Sequence, residues 1–163
     1  MYDTILVPVD GSENSQYAAK HALDLAEEVG ATVHFLHVVS LNESRNIDVP
    51  RIEKGHLYQD LEKIGEEVID DTLSPLGDQE VSFTRTIMTG RPDKQILSFI
   101  QSKRPDLVVM GSQGKTGLKR VVLGSVAENV ARRSSVPIQL VPSSNDFVTL
   151  LDSERDEETD DEK

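Results

Sequence analysis

The sequence predicts an α/β fold built on a parallel sheet, and three observations carry that expectation. Short apolar runs rich in β-branched residues recur along the 163-residue chain at 3–9, 31–40, 81–88, 107–110 and 136–141. The stretches between the first four of them, and between the last two, contain apolar residues at helical spacing. The apolar 37% of the chain is mostly Val, Leu, Ile and Ala, with few aromatics, as suits buried parallel strands and the helices that cover them. Strict alternation of strand and helix implies right-handed crossovers with helices on both faces of the sheet. The length fits a single domain with a core of its own.

Taken in order, DTILVPV is the first strand, with Pro8 near its end, where a missing ladder donor matters least. Asp10-Gly11-Ser12 reads as a turn with Ser12 as helix N-cap. Ala18, Ala22, Leu25, Ala26 and Val29 mark a helix face, and Gly30 is placed to end the helix in the left-handed conformation. ATVHFLHVVS is strand two. Residues 41–55 lack a period and read as a long loop. Leu57, Leu61, Ile64 and Val68 predict a second amphipathic helix, stopping near Ser74-Pro75-Leu76-Gly77. After strand three, Gly90-Arg91-Pro92 leads into helix three, with Pro92 in its first turn and Ile96, Leu97 and Ile100 as its stripe. Lys103-Arg104-Pro105 ends it, and 107–110 is strand four. Ser125 and Glu128 have capping-box spacing for helix four, with Val126, Val130 and Ala131 toward the core. Val136–Val141 is strand five. Residues 1–145 are expected to form the domain, with a short extra element at 145–151 and a disordered acidic tail within 146–163.

Several function classes fall away on composition. The chain contains no cysteine, which excludes disulfides, thiolate catalysis and cysteine zinc sites. The N-terminal stretch lacks the basic and apolar regions of a signal peptide. No run approaches the roughly 18 apolar residues of a membrane helix. A cytoplasmic location without membrane contact is the expectation. Net charge is −12, which argues against general nucleic-acid binding. Charge is uneven, however. Residues 152–163 hold eight acids against Arg155 and Lys163. Residues 111–133 instead set Lys115, Lys119, Arg120, Arg132 and Arg133 against Glu128. Positive charge gathered around a glycine-rich stretch points to a small anion, with a solvated basic helix face as the alternative.

Ligands of open parallel sheets bind beyond the carboxyl ends of the strands, where strand order reverses. The most polar and glycine-rich of those ends follow strands one and four, at Asp10-Gly11-Ser12 and Met110-Gly111-Ser112. A strand that empties through glycines into a helix suits a phosphate group. A P-loop is excluded, because Gly114-Lys115-Thr116 lacks its partner glycine and Val109 holds that position. Neither a dinucleotide fingerprint nor a Gly-x-Ser-x-Gly elbow is present. His34 and His37 lie three apart on a strand, hence on opposite faces, and cannot share a metal. His21 and His56 read as surface or packing residues.

What remains is Gly111-x-x-Gly114, nine residues (115–123), then Gly124-Ser125. Together with ILVPVDGSENS, Gly90-Arg91-Pro92, DLVVMGSQGKTG, LGSVAENV and VPIQLVP, this pattern resembles the universal stress protein family from Met1 to about Pro142. The resemblance implies a five-stranded parallel sheet ordered 3-2-1-4-5, a Rossmann-like fold, with its crevice between strands one and four. The ATP-binding branch of that family would place adenine near Pro8, Val9, Asp10 and the backbone of Val38. Ribose and phosphates would meet Met110, Gly111, Gly114, Gly124, Ser125 and Val126. Asp10 would bind the nucleoside or help to hold Mg²⁺. Each residue has a plainer alternative: turn glycines at 111 and 114, a turn role for Asp10, an N-cap role for Ser125. The resemblance also implies a homodimer through strand five, Val136 to Val141.

The functional expectation is a cytoplasmic, nucleotide-dependent stress-response regulator that binds ATP with Mg²⁺ and acts on a protein partner the sequence does not specify. No catalytic residue is assigned, since the chain shows no evident general base or arginine pair for phosphoryl transfer. A slow ATPase or phosphotransferase at the same site, or a nucleotide-free interaction module, are the alternatives.

Overall fold

The computed structural model describes residues 1–40, 57–113 and 123–142, with only the backbone at Leu57. The expected loop at 41–55, His56, Gly114, Lys115, Lys119 and Arg120, and the acidic tail all lie outside the described residues. In chain order the elements are β1 (Thr4–Pro8), α1 (Glu13–Val29), β2 (Thr32–Val39), α2 (Leu57–Leu73), β3 (Phe83–Thr89), α3 (Pro92–Lys103), β4 (Leu107–Gly111), α4 (Ser125–Arg133) and β5 (Ile138–Val141). A 3-10 turn at Ser74–Leu76 follows α2. All strand pairs are parallel, in the order β3-β2-β1-β4-β5. The order in which strands are added reverses between β1 and β4, as the family resemblance implies.

Alternation along each strand sorts the core into two layers. Ile5, Val7, Val33, Phe35, Leu107 and Val109 face α1 and α2, while Leu6, Leu36, Val38, Val108 and Met110 face α3 and α4. Many of these side chains are fully buried, worth roughly 1.5–3 kcal/mol each. The α1 face is Ala18, Ala19, Ala22, Leu23 and Ala26, and its small side chains let the helix lie close over the sheet. Ser12 Oγ accepts the Ser15 N–H at 3.2 Å, and Gly30 ends the helix at φ 73°.

Local expectations are corrected at α2, α4 and β5. The buried face of α2 is Leu61, Gly65, Ile69, Thr72 and Leu73, with Ile64 and Val68 only half-buried at its edge. Gly65 centres this face because a Cβ there would collide with Ile87 of β3. No capping box forms at α4. Gly124 is the N-cap, Ser125 is the exposed first helical residue, and Glu128 pairs with Arg132 at 2.8 Å instead. The α4 core contacts are Ala127 and Val130, while Ala131 is exposed. Strand five begins at Ile138, two residues late. Ser134 Oγ donates to the Val136 carbonyl at 2.8 Å and accepts its N–H at 3.1 Å, holding that residue in a turn. Pro137 then brings no donor.

Candidate functional site

A cavity of about 250 Å³ opens at the carboxyl ends of β1 and β4. Pro8, Val9 and Asp10 form one wall, Val38 another, and Met110 and Gly111 the floor beside them. Gly124, Ser125 and Val126 bring in the start of α4. These nine expected site residues are therefore brought together, while Gly114 lies outside the described residues. Sequence reasoning missed Ser15, Leu36, His37, Pro92, Ile96, Gln113 and Ala127, which also line the cavity. Ser15, Gln113 and Ala127 lie inside the family motifs, His37 neighbours Val38 on a strand end, and Pro92 starts a helix at the carboxyl side of the sheet, while Leu36 and Ile96 read only as core.

The β1–β2 ladder explains how Val38 is presented. Thr32 N–H donates to the Asp3 carbonyl and Val9 N–H to the Leu36 carbonyl, each at 2.9 Å. Even-numbered residues of β2 therefore turn their amides toward β1. Odd-numbered ones turn toward the β3 side, as Val33 N–H to Ser82 and Gly90 N–H to the Val39 carbonyl show, each at 3.0 Å. Val38 is even, so its N–H and C=O face the β1 side. Registered pairing of β1 ends at Pro8 opposite Leu36, and the chain turns off at Gly11, φ 79°. Val38 thus presents a backbone donor and acceptor where the neighbouring strand has run out. Val9 differs: its N–H is spent on Leu36, and its carbonyl accepts His37 Nδ1–H at 2.8 Å.

Asp10 takes the turn role and also lines the cavity. Its Oδ1 accepts the Ser12 N–H at 2.9 Å, an Asx turn. The structure gives Oδ2 no partner among the described residues. Those residues contain no group of three metal-ligating side chains, so a Mg²⁺ at Asp10 would need most of its oxygens from phosphates and water, which is how that ion is commonly held. Gly111 has a packing reason of its own. A Cβ there would stand 3.0 Å from the backbone carbon and Cβ of Asn14, so the glycine seats the first turn of α1 against β4.

Two of the five basic residues of 111–133 lie within the described residues, and neither lines the cavity. Arg132 and Arg133 occupy the last turn of α4, on the order of 10 Å along the helix from Ser125. Arg132 is paired with Glu128. Both basic residues therefore complement the helix C-terminus rather than the cavity. Asp93, buried at the start of α3, accepts from Arg91 Nη2 at 3.0 Å and from Asn129 Nδ2 at 3.3 Å. Burial works to raise its carboxyl, yet Arg91 and the backbone N–H groups of Lys94 and Asp93 hold it below the usual carboxylate range. This cluster ties α3 to α4 beside the cavity.

The histidines separate as expected. His34 lies on the α3 side against Phe99, hydrogen-bonded to the Thr84 and Thr86 hydroxyls at 2.8 and 2.9 Å. Burial, aided by the charge of Lys103, pushes its imidazole below the ordinary value. His37 lies apart from it, at the cavity wall. No helix among the described residues is long and apolar enough to cross a membrane.

Comparison with known proteins agrees with this architecture. Universal stress protein MJ0531 of Methanocaldococcus jannaschii is 36% identical over 142 residues, covering 86% of this chain and 82% of its own. Universal stress protein MJ0577 of the same organism is 30% identical, over 89% and 98% of the two chains. The solved structure of MJ0577 superposes with a TM-score of 0.72 over 87% of this chain and 96% of its own. UspA from Lactobacillus plantarum, at 23% identity, shares the fold with a TM-score of 0.65 over 86% and 97% of the two chains. The sequence profile of the universal stress protein family matches residues 1–142, and the chain belongs to that family.

Proposed function

We propose that this protein binds an adenine nucleotide, ATP with Mg²⁺, in the crevice between β1 and β4, and acts as a nucleotide-dependent regulator of a stress response in the cytoplasm. The observation that carries the reading is the Val38 backbone pair facing a cavity whose far side is the start of α4. An apolar slot with one donor and one acceptor suits a nucleobase, and a helix N-terminus suits its phosphates. Two structural neighbours support the ligand class: a universal stress protein in complex with cAMP, and one from Archaeoglobus fulgidus in complex with dAMP. At 24% and 17% identity they share the fold with this chain, and the chemistry is carried by the cavity itself. Asp10 would hold the ribose or the Mg²⁺ through its second carboxylate oxygen. The outer edge of β5, at the end of the sheet, supports a homodimer through that strand.

The test is direct. Mg-ATP at about 100 times its dissociation constant should stabilise the fold by about 2.7 kcal/mol, on the order of 5–10 °C in melting temperature. Mass spectrometry of the denatured, freshly purified protein should release an adenine nucleotide, and light scattering on the same preparation should give twice the chain mass. No melting shift with millimolar Mg-ATP and no released nucleotide would end the reading. Single-turnover assays on the loaded protein decide between holding ATP and hydrolysing it.

A further inference from the structure

We propose that His37 is the positioning residue that frees the Val38 backbone for the base, and so sets selectivity for adenine over hypoxanthine. The inference rests on the nucleotide reading above.

Continued by one more step, the β1–β2 ladder would send the Val38 N–H to the Val9 carbonyl, following Val9 N–H to Leu36. That bond is not made, and the carbonyl accepts from the imidazole instead, at 2.8 Å. A carbonyl oxygen only accepts, so Nδ1 carries the hydrogen and donates. Both partners are buried, His37 being 7% and Val9 4% exposed, which makes the bond costly to lose. His37 therefore caps β1 from the side, satisfying Val9 with a side chain where the ladder would have used Val38. The Val38 N–H and C=O are left facing the cavity as an adjacent donor and acceptor.

That pair complements a base edge offering an acceptor beside an amino donor. Adenine has such an edge. Hypoxanthine replaces the amino group by a carbonyl, which would face the Val38 carbonyl oxygen to oxygen. Without the imidazole, Val9 would draw the Val38 N–H back into the ladder, and the donor of the pair would be lost. A residue that merely filled space at position 37 would affect both bases alike.

The experiment is calorimetric titration of the full chain with Mg-ATP and Mg-ITP, on the natural protein and on His37→Phe, His37→Asn and His37→Gln. The natural protein should prefer ATP by at least about tenfold. His37→Phe should bring the ratio of the two affinities close to one. His37→Asn, whose amide nitrogen takes the place of Nδ1, should keep the preference within about threefold, and His37→Gln, which donates from farther out, should not. An unchanged ATP-to-ITP ratio in His37→Phe overturns the inference, as does a natural protein that binds both equally. Should His37→Phe fail to fold, equal ratios in the Asn and Gln variants overturn it. Binding of neither nucleotide by the natural protein removes the nucleotide reading itself, an outcome distinct from binding with unaltered selectivity.

Discussion

Helices α1 and α4 both start at the rim of the cavity, yet the chain treats their first turns in opposite ways. At α1 the turn is closed on itself. Ser12 Oγ takes the Ser15 N–H, Ser15 Oγ donates to the Ser12 carbonyl, and Asp10 Oδ1 takes the Ser12 N–H. At α4 the N-cap is Gly124, which has no side chain to offer, and Glu128 is turned to Arg132 rather than back to the cap. Among the described residues, no side chain of α4 answers its own first N–H groups. The first arrangement stabilises a helix, and the second leaves donors and the positive end of a helix dipole for an anion. The pair teaches where each end of a nucleotide would lie: the base and ribose by the closed turn, the phosphates by the open one.

The contrast is broken most sharply by making α4 resemble α1. Gly124 has φ −62° and ψ 149°, ordinary extended backbone, so Gly124→Asp should fold and gain a few tenths of a kcal/mol as a cap. The new carboxylate would repel phosphate, and affinity for Mg-ATP should fall by about 100-fold, read by calorimetry. Affinity that stays within twofold would remove the phosphates from α4.

A smaller effect is expected where the closed turn meets the sheet. Gly111→Ala places a Cβ against the Asn14 backbone, and overpacking of this kind costs roughly 1–3 kcal/mol. Both denaturant stability and ATP affinity should drop, because α1 and the Asp10 turn would shift together. Stability that is untouched would show that the contact is not tight.

The smallest change is at the cap itself. Ser12→Ala should cost about 1 kcal/mol, or roughly 2–4 °C in melting temperature, while ATP affinity stays within about threefold. A collapse in affinity at unchanged stability would mean that the α1 turn, rather than α4, binds the charged end.

Much of this was legible from the chain. Ser12 as cap, Gly30 as left-handed stop and Pro92 in a first turn are local rules, and local rules depend on neighbours the sequence displays. The places where reading failed are those where tertiary partners overrule the local pattern. The capping box at Ser125 and Glu128 has the right spacing, but Arg132 one turn on draws the carboxylate away. The α2 stripe is rotated onto Gly65 and Ile69 because β3 presents Ile87 at that position. The two arginines of α4 count toward a basic patch in sequence, yet a helix of nine residues places them at the end away from the cavity.

Sequence alone determined the class of fold, the succession of strands and helices, and the stretches after β1 and β4 that line the cavity. Those follow from periodicity, turn chemistry and glycine placement, which are properties of short segments. Strand order reached the reading through family resemblance, and the register of the sheet establishes it physically. Tertiary structure alone decided which backbone groups remain unspent. Val38 presents its amide because β1 ends opposite Leu36, and Val9 does not because its N–H goes to Leu36 and a histidine from the next strand takes its carbonyl. Availability of a hydrogen-bonding group depends on what every neighbouring strand has already used, and no single segment carries that information.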